Sequence, residues 1–219
     1  MTALLTDGVP QFGKKFLEDI DRYIAERHTK LTCNDVWKIY NQFFYDMKEF
    51  KGNSNGFTGL SEYLIFRSVY HFLGGPFDQV EKTNDLYEFK SRRDQNLQIS
   101  QSTPVEIKEG RRLYPDIGVS YAKKLLAVCQ IKLYLTQGAK EVHAELKKLD
   151  DLKELYPDLQ ALLLVFNSIS TKGRIMAELK TEASRRPWFQ YDYLQGNNRI
   201  LVDVLKEGLD LDRTWKPEE

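Results

Sequence analysis

Residues 113–135 read LYPDIGVSYAKKLLAVCQIKLYL, which predicts two strands joined by a short turn. Asp116 follows a proline near the start of this stretch, and Gln130, Ile131 and Lys132 lie in its apolar second half. Because side chains alternate between faces along a strand, Gln130 and Lys132 point the same way and Ile131 points to the opposite face. A reverse turn between the strands brings Asp116 beside them. The stretch therefore predicts a carboxylate, a carboxamide and an ammonium group in one compact site.

Such a set of groups suits metal-assisted chemistry on phosphates. Mg²⁺ takes one or two carboxylates together with waters and substrate phosphate oxygens, and phosphodiester hydrolysis uses a metal ion held in this way. A carboxylate or an ammonium group within an apolar strand is costly unless a partner compensates it, which favours functional roles for Asp116 and Lys132. The alternatives are a turn aspartate and an edge-strand lysine. Gln130 is either a ligand or a buried amide that bonds its neighbours.

The pair Pro115-Asp116, followed by Gln130-Ile131-Lys132, resembles the PD-(D/E)xK nuclease superfamily, which includes restriction endonucleases, junction resolvases, and repair or transposition nucleases. Gln130 stands where the commonest pattern has Asp or Glu, and some branches, among them Mrr-like restriction enzymes, carry Gln there. The amide oxygen offers a ligand without charge. The resemblance implies that Asp116, Gln130 and the Ile131 carbonyl oxygen hold the metal ion, and that Lys132 orients the attacking water.

A further acidic residue is expected near this site. The superfamily often places a glutamate on the helix before its sheet, which implies such a role for Glu62. Ile65 and Phe66 follow it at helical spacing, so Glu62 faces a partly apolar stripe. The alternative is a glutamate that the helix dipole favours near an N-terminus. Glu106 is the second candidate, and strand alternation favours a solvent-facing position for it.

The periodicity of apolar residues predicts the surrounding architecture. After helices in the first part of the chain, strands are predicted at residues 105–107, 113–120 and 125–135, a charged amphipathic helix at 139–155, and a buried strand at 161–166. This order, αβββαβ, is that of the resembled superfamily. We expect an α/β (α+β) fold with a restriction-endonuclease-like core, in which helices flank a central mixed β-sheet, plus a helical N-terminal region.

The chain length and its loops indicate the domain organisation. A chain of 219 residues can bury a proper core. We expect a helical N-terminal region at 1–56, with Asn34 capping its second helix, packed on a nuclease-like core with a C-terminal extension at 57–219. Residues 51–56 predict a loop. Residues 168–174 predict a second loop whose hydroxyl groups either hold a phosphate or cap the next helix.

The charge balance limits the ways in which the chain binds nucleic acid. The net charge is +0 and the isoelectric point is about 6.9, which argues against coating DNA through bulk charge but permits a local basic cleft. Arg111, Arg112, Lys123 and Lys124 flank the predicted hairpin and are candidates for phosphate contacts. The alternative is a solvated surface that the acidic residues balance.

The remaining composition points to a cytoplasmic protein. Two cysteines, Cys33 and Cys129, are too few for a disulfide framework. The three histidines, His28, His71 and His143, show no metal-ligand spacing. We expect no signal peptide and no membrane-spanning segment.

Together these features predict a Mg²⁺-dependent DNA endonuclease, with Mn²⁺ as a substitute metal. A type II restriction-type enzyme is favoured, working as a homodimer so that two subunits cut the two strands of a symmetric site. The alternatives are a structure-specific, repair or junction-resolving nuclease, and a non-catalytic nucleic-acid-binding scaffold with the same fold. RNA stays open as a substrate.

Overall fold

The chain is a mixed α/β protein in which helices cover both faces of one large sheet. The computed structural model describes residues 3–46, 58–80, 87–108, 110–135, 138–167 and 173–210. Within these ranges it contains six helices and nine strands, and seven of the strands form one mixed sheet. No helix in the described ranges has the length and apolar character needed to cross a bilayer. The predicted loop at 51–56 and residues 168–172 of the second loop lie outside them.

The first part of the chain is helical, as the periodicity predicted: α1 (Ala3–Arg27), α2 (Cys33–Asp46) and α3 (Thr58–Phe72). The predicted cap of α2 is wrong. Thr32 caps the helix, because its Oγ1 accepts the Asp35 N–H at 3.1 Å while the Asp35 carboxylate accepts the Thr32 N–H at 3.1 Å. This reciprocal pair is a capping box. Asn34 instead accepts the N–H of Gly196 through its side-chain oxygen.

A partly buried ionic cluster joins α1 to α3. Arg67 donates to both carboxylate oxygens of Asp21, at 2.5 and 2.8 Å, and His71 Nε2 lies 2.7 Å from one of them. Burial alone would raise the pKa of Asp21, but the hydrogen bonds from His71 and Arg67 outweigh it and lower the pKa to about 2. The charge on this carboxylate therefore stabilises the fold above acidic pH.

The sheet changes from antiparallel to parallel across its width. Its order is β1-β2-β3-β6-β7-β8-β9; the neighbours from β1 to β7 are antiparallel, whereas β7, β8 and β9 run parallel. The nine strands are β1 (Phe77–Gln79), β2 (Tyr87–Ser91), β3 (Leu97–Gln101), β4 (Val105–Lys108), β5 (Arg111–Leu113), β6 (Ile117–Tyr121), β7 (Lys124–Lys132), β8 (Gln160–Val165) and β9 (Phe189–Tyr193).

Two of the predicted strands are placed differently in the structure. Residues 105–107 are not the first strand of the meander, because among the described strands β4 pairs with β5 alone, in a separate two-stranded ribbon. Strand β3, where Leu97 and Ile99 are buried on alternate positions, stands beside β6 instead. The predicted strand at 113–120 is divided, since Pro115 lies between β5 and β6 and has no N–H to give to a ladder.

The second half of the chain follows the predicted order more closely. The predicted helix at 139–155 is α4 (Ala139–Leu155), and the predicted buried strand is β8. The α4 crossover returns the chain so that β8 pairs parallel with β7, which a tight turn cannot do. Two further helices complete the fold, α5 (Arg174–Arg185) and α6 (Leu201–Leu209).

The core lies on both sides of the sheet. On one face Cys129 and Ile131 of β7 join a buried cluster with α1, α2, α3 and α6. On the other face Val128 joins a cluster with α4, α5 and the β4–β5 ribbon. Alternation along β7 thus fixes which helices each side chain meets. Helix α6 lies so close to β8 that a Cβ at Gly208 would stand 2.6 Å from Leu162 Cδ1.

Candidate active site

Asp116 links the start of β6 to the end of β7. It lies immediately before β6, and its Oδ2 accepts the main-chain N–H of Ile131 at 2.6 Å. At the end of the β6–β7 ladder, the Asp116 carboxylate thus accepts a hydrogen bond from a main-chain N–H of β7. The structure therefore brings Asp116 to the segment that carries Gln130 and Lys132, as the predicted turn required.

Gln130 and Lys132 lie on an internal strand. Because β7 is flanked by β6 and β8, the alternative of an edge-strand lysine is wrong. Gln130 is 7 % exposed and the Lys132 side chain 27 % exposed. Cys129 and Ile131 face the cluster around α3, so Gln130 and Lys132 point to the α4 side of the sheet. The ammonium group of Lys132 consequently lies within reach of α4.

Helix α4 contributes a carboxylate that the sequence did not single out. Glu145 is buried, and its Oε1 lies 3.0 Å from Lys132 Nζ and 2.8 Å from Lys148 Nζ. Its Oε2 is also buried and has no hydrogen-bond partner among the described residues. Burial raises the pKa of Glu145, but the hydrogen bonds from Lys148 and Lys132 outweigh burial, so that the pKa is lowered. Glu145 is therefore held as a carboxylate.

Glu62 reaches the same site from the other face of the sheet. It is half-buried on α3, and its side chain is hydrogen-bonded to Gln101, the last residue of β3. The charges of Asp116 and Lys132 both act on it. Glu106, the second candidate, is exposed on the β4–β5 ribbon, in agreement with a solvent-facing position. Of the two acids, the structure places Glu62 near the predicted cluster.

The carboxyl groups of Asp116, just before β6, and of Glu62, on α3, carry negative charge that their surroundings do not fully compensate. Burial raises the pKa of Asp116, the Ile131 N–H and the Lys132 charge lower it, and the charge of Glu145 raises it, with a net increase. Burial and the Asp116 charge raise the pKa of Glu62 in the same way. Perturbed carboxyl groups that meet at one place are typical of functional sites. A bound cation would favour the charged form of both.

The donor set fits a hard divalent cation. Asp116 keeps one carboxylate oxygen that the Ile131 N–H does not occupy, Gln130 offers an amide oxygen, and Glu62 adds a carboxylate. Oxygen donors of this kind are the ligands of Mg²⁺ and Mn²⁺. A ligand role for the carbonyl oxygen of Ile131 stays a prediction.

A second group of acidic and histidine side chains joins α4 to α5. His143 Nε2 lies 2.5 Å from Glu178, and Glu182 is close to both. Glu182 is buried and paired with Arg185 and Arg186, whose charges lower its pKa against the effect of burial. Two guanidinium groups already neutralise the Glu182 carboxylate. We therefore interpret this group of side chains as an ion-paired link between α4 and α5.

The predicted phosphate-binding residues lie on the surface of the ribbon and of the β6–β7 turn. Two of them form ion pairs, Arg111 with Asp151 at 3.0 Å and Lys124 with Asp158 at 2.5 Å. The Lys124–Asp158 pair is exposed on both sides, and such pairs are weak and can exchange partners, whereas the Asp151 partner of Arg111 is largely buried. Their contacts with DNA stay a prediction. All four are exposed: Arg111, Arg112, Lys123 and Lys124.

Comparison with protein-family models, with curated proteins and with solved structures gives no match for this chain.

Two residues of the site, Gln101 and Glu145, were not predicted from the sequence. Glu145 follows Val142 by three residues on the apolar stripe of α4, so a carboxylate on a buried helix face was the available signal. Gln101 gave no comparable signal, because the strand that carries it is short and rich in polar residues.

Proposed function

We propose that this chain is a divalent-metal-dependent endonuclease that hydrolyses DNA phosphodiester bonds. The observation that carries the proposal is the hydrogen bond from the Ile131 N–H to Asp116, which joins this carboxylate to the strand end that carries Gln130 and Lys132, with Glu62 close enough for the charges of Asp116 and Lys132 to act on it. These are the residue types that metal-assisted phosphodiester cleavage requires: oxygen donors for the cation and a fixed positive charge beside them. They are separated by up to 70 residues in the sequence, from Glu62 to Lys132.

The topology supports the same proposal. Helix α3 precedes the antiparallel neighbours β3, β6 and β7, then α4 crosses over, and β8 pairs parallel with β7. Helix, three antiparallel strands, helix and parallel strand is the αβββαβ order that a restriction-endonuclease-like core implies. The strands β1 and β2 and the β4–β5 ribbon are then additions to that core.

Each residue has a distinct role in the proposed reaction. Asp116 and Gln130 hold the cation, and Glu62 binds it or its water shell. Bound there, a divalent metal ion polarises a phosphate oxygen and makes a water molecule more acidic. Lys132 orients the attacking water and stabilises the charge that develops on the phosphate. Gln101 keeps the Glu62 side chain in place through its hydrogen bond.

The neutral Gln130 has a consequence for metal binding. A carboxylate at this position would add a second charge beside Asp116, and the raised pKa of Asp116 shows that negative charge is already costly there. The amide keeps the oxygen donor without that cost. We therefore expect metal binding to depend strongly on Asp116 and Glu62.

The test is cleavage of DNA by the purified full chain. Supercoiled plasmid, synthetic four-way junctions and single-stranded RNA are incubated with Mg²⁺, with Mn²⁺ or with EDTA. The catalytic variant is Asp116→Asn. The matched control is Asp192→Asn, because burial also raises the pKa of Asp192, and its carboxylate also accepts a main-chain N–H, but on the edge strand β9, which β8 separates from β7.

The outcomes separate the candidate activities. Discrete metal-dependent plasmid fragments that Asp116→Asn abolishes and Asp192→Asn retains support a type II restriction-type enzyme, for which we propose a cytoplasmic homodimer. Cutting of the junction alone favours a junction-resolving or repair nuclease, and cutting of RNA changes the substrate class. Absence of cutting on every substrate with either metal refutes the nuclease and leaves a nucleic-acid-binding scaffold.

A further inference from the structure

The lysine of the candidate site is held by a buried carboxylate on the helix that follows its strand. Lys132 Nζ lies 3.0 Å from Glu145 Oε1, and within the described ranges Glu145 is the carboxylate that forms an ion pair with it. The side chain of Glu145 is only 7 % exposed. A lysine side chain has four flexible carbons, so its ammonium group needs a fixed partner to stay in one position.

The ion pair is not needed to neutralise Glu145. Lys148, one turn further along α4, donates to the same oxygen at 2.8 Å. Lys148 is also the more exposed of the two lysines, at 43 % against 27 % for Lys132. Since Glu145 already has a partner on its own helix, the effect of the second bond falls mainly on Lys132.

A metal-ligand role for Glu145 fits the structure less well. Two ammonium groups bind its Oε1, so that its negative charge is already balanced without a cation. The ligands of the proposed cation stand instead at the strand ends, where burial leaves Asp116 without full compensation.

We propose that Glu145 is a positioning residue, which orients the Lys132 ammonium group toward the scissile phosphate without contacting the metal ion or the substrate. This inference rests on the proposed nuclease function. Groups that orient metal ligands typically account for about 10–100-fold of affinity or activity, and we expect an effect of similar size for a group that orients a reacting lysine. Helix α4 thereby takes part in the site, although no residue of the motif lies on it.

The experiment compares Glu145→Gln with the wild-type full chain on the plasmid that the wild type cleaves. Glutamine keeps the size and one oxygen but loses the charge. We expect kcat to fall by about 10–100-fold, with the Mg²⁺ concentration for half-maximal rate unchanged. Glu145→Asp, which keeps the charge on a shorter side chain, should retain more activity than Glu145→Gln.

The matched control is Glu182→Gln. Glu182 is also a buried glutamate with two cationic partners, but it lies on α5, away from the site. Thermal unfolding of both variants shows whether each folds. If Glu182→Gln loses as much kcat as Glu145→Gln, the effect is general destabilisation and the inference is overturned.

The remaining outcomes are equally decisive. Wild-type kcat in Glu145→Gln overturns the positioning role and leaves the nuclease proposal intact. A large increase in the Mg²⁺ requirement at unchanged maximal rate overturns it in favour of a metal-ligand role. A wild-type chain that cuts none of the substrates overturns the proposed function, and the inference with it.

Discussion

Replacing Asp116 by asparagine or by alanine separates the two roles of this side chain, its negative charge and its hydrogen bond to the Ile131 N–H. Both substitutions remove the charge and, on the proposed mechanism, both abolish cleavage. Only alanine also removes the acceptor of the Ile131 N–H, which is bonded at 2.6 Å. The two variants should therefore be equally inactive and unequally stable.

The magnitude follows from the hydrogen bond, which in the asparagine variant joins two neutral groups. A buried N–H left without a partner, as in the alanine variant, costs about 1–3 kcal/mol. For a chain of 219 residues, each kcal/mol shifts Tm by about 2–4 °C, so Asp116→Ala should melt about 2–12 °C below Asp116→Asn.

In the absence of metal, the wild type should be no more stable than Asp116→Asn. Because the pKa of Asp116 is raised in the folded state, the folded chain binds more protons than the unfolded chain as the pH rises through and above the usual aspartate range. Stability therefore falls over that window, and the ionised carboxylate is a cost at neutral pH. Without metal, Asp116→Asn should be at least as stable as the wild type.

The assay is thermal unfolding of the three proteins at pH 7.5, in EDTA and then in Mg²⁺. Only the wild type should gain stability from the metal, since binding to the folded state alone raises Tm. Equal Tm values for the asparagine and alanine variants would refute the role assigned to the Ile131 bond. A wild type clearly more stable than Asp116→Asn in EDTA would refute the assignment of uncompensated charge.

Three further predictions concern pH, acid stability and packing. Because the pKa values of Asp116 and Glu62 are both raised, protons should compete with Mg²⁺, and calorimetry should show affinity falling from pH 8 to pH 5.5, less steeply in Glu62→Gln. The pKa of Asp21 is lowered to about 2 by hydrogen bonds that outweigh burial, so this carboxylate should contribute about 2 kcal/mol above pH 4 and lose it toward pH 2; urea unfolding should find Asp21→Asn less stable at pH 6 and nearly equal to wild type at pH 2. Gly208→Ala should lose about 1–3 kcal/mol of stability by overpacking against Leu162, partly offset by a gain of about 1 kcal/mol in helix propensity, and cleavage should not change. A higher stability in urea unfolding would contradict the close approach of α6 to β8.

The elements with strong local patterns were predictable from the sequence. The apolar stripe of α4 and the continuous apolar run of β8 identify each element, because burial on one helix face or on both strand faces leaves a clear signature. Strand β3 carries only a short alternation, in which Leu97 and Ile99 are buried between polar residues, and residues 105–107 show a similar one. Local alternation in residues 105–107 was therefore mistaken for a strand of the main sheet.

The site was predictable to the extent that its residues are close in sequence. Asp116, Gln130 and Lys132 lie on two strands joined by one turn, so alternation and the turn determine their proximity. The approach of Glu145 depends on how α4 crosses over the sheet, and that of Gln101 on which strand stands beside β6. Both positions depend on long-range packing, which the spacing of residues within one segment does not determine.

The position of the site follows from the geometry of β7. This strand is antiparallel to β6 and parallel to β8, so the start of β6, the end of β7 and the entry to the α4 crossover meet at one edge. At this edge the Ile131 N–H donates to Asp116, and the crossover helix α4 places Glu145 beside Lys132. Lys132 and Glu145 thus compensate each other, whereas Asp116 and Glu62 keep raised pKa values. The ammonium group of the site is thus paired, whereas its two partly buried carboxyl groups are costly to ionise. The fold gives up stability there, at the place where a bound cation would restore it.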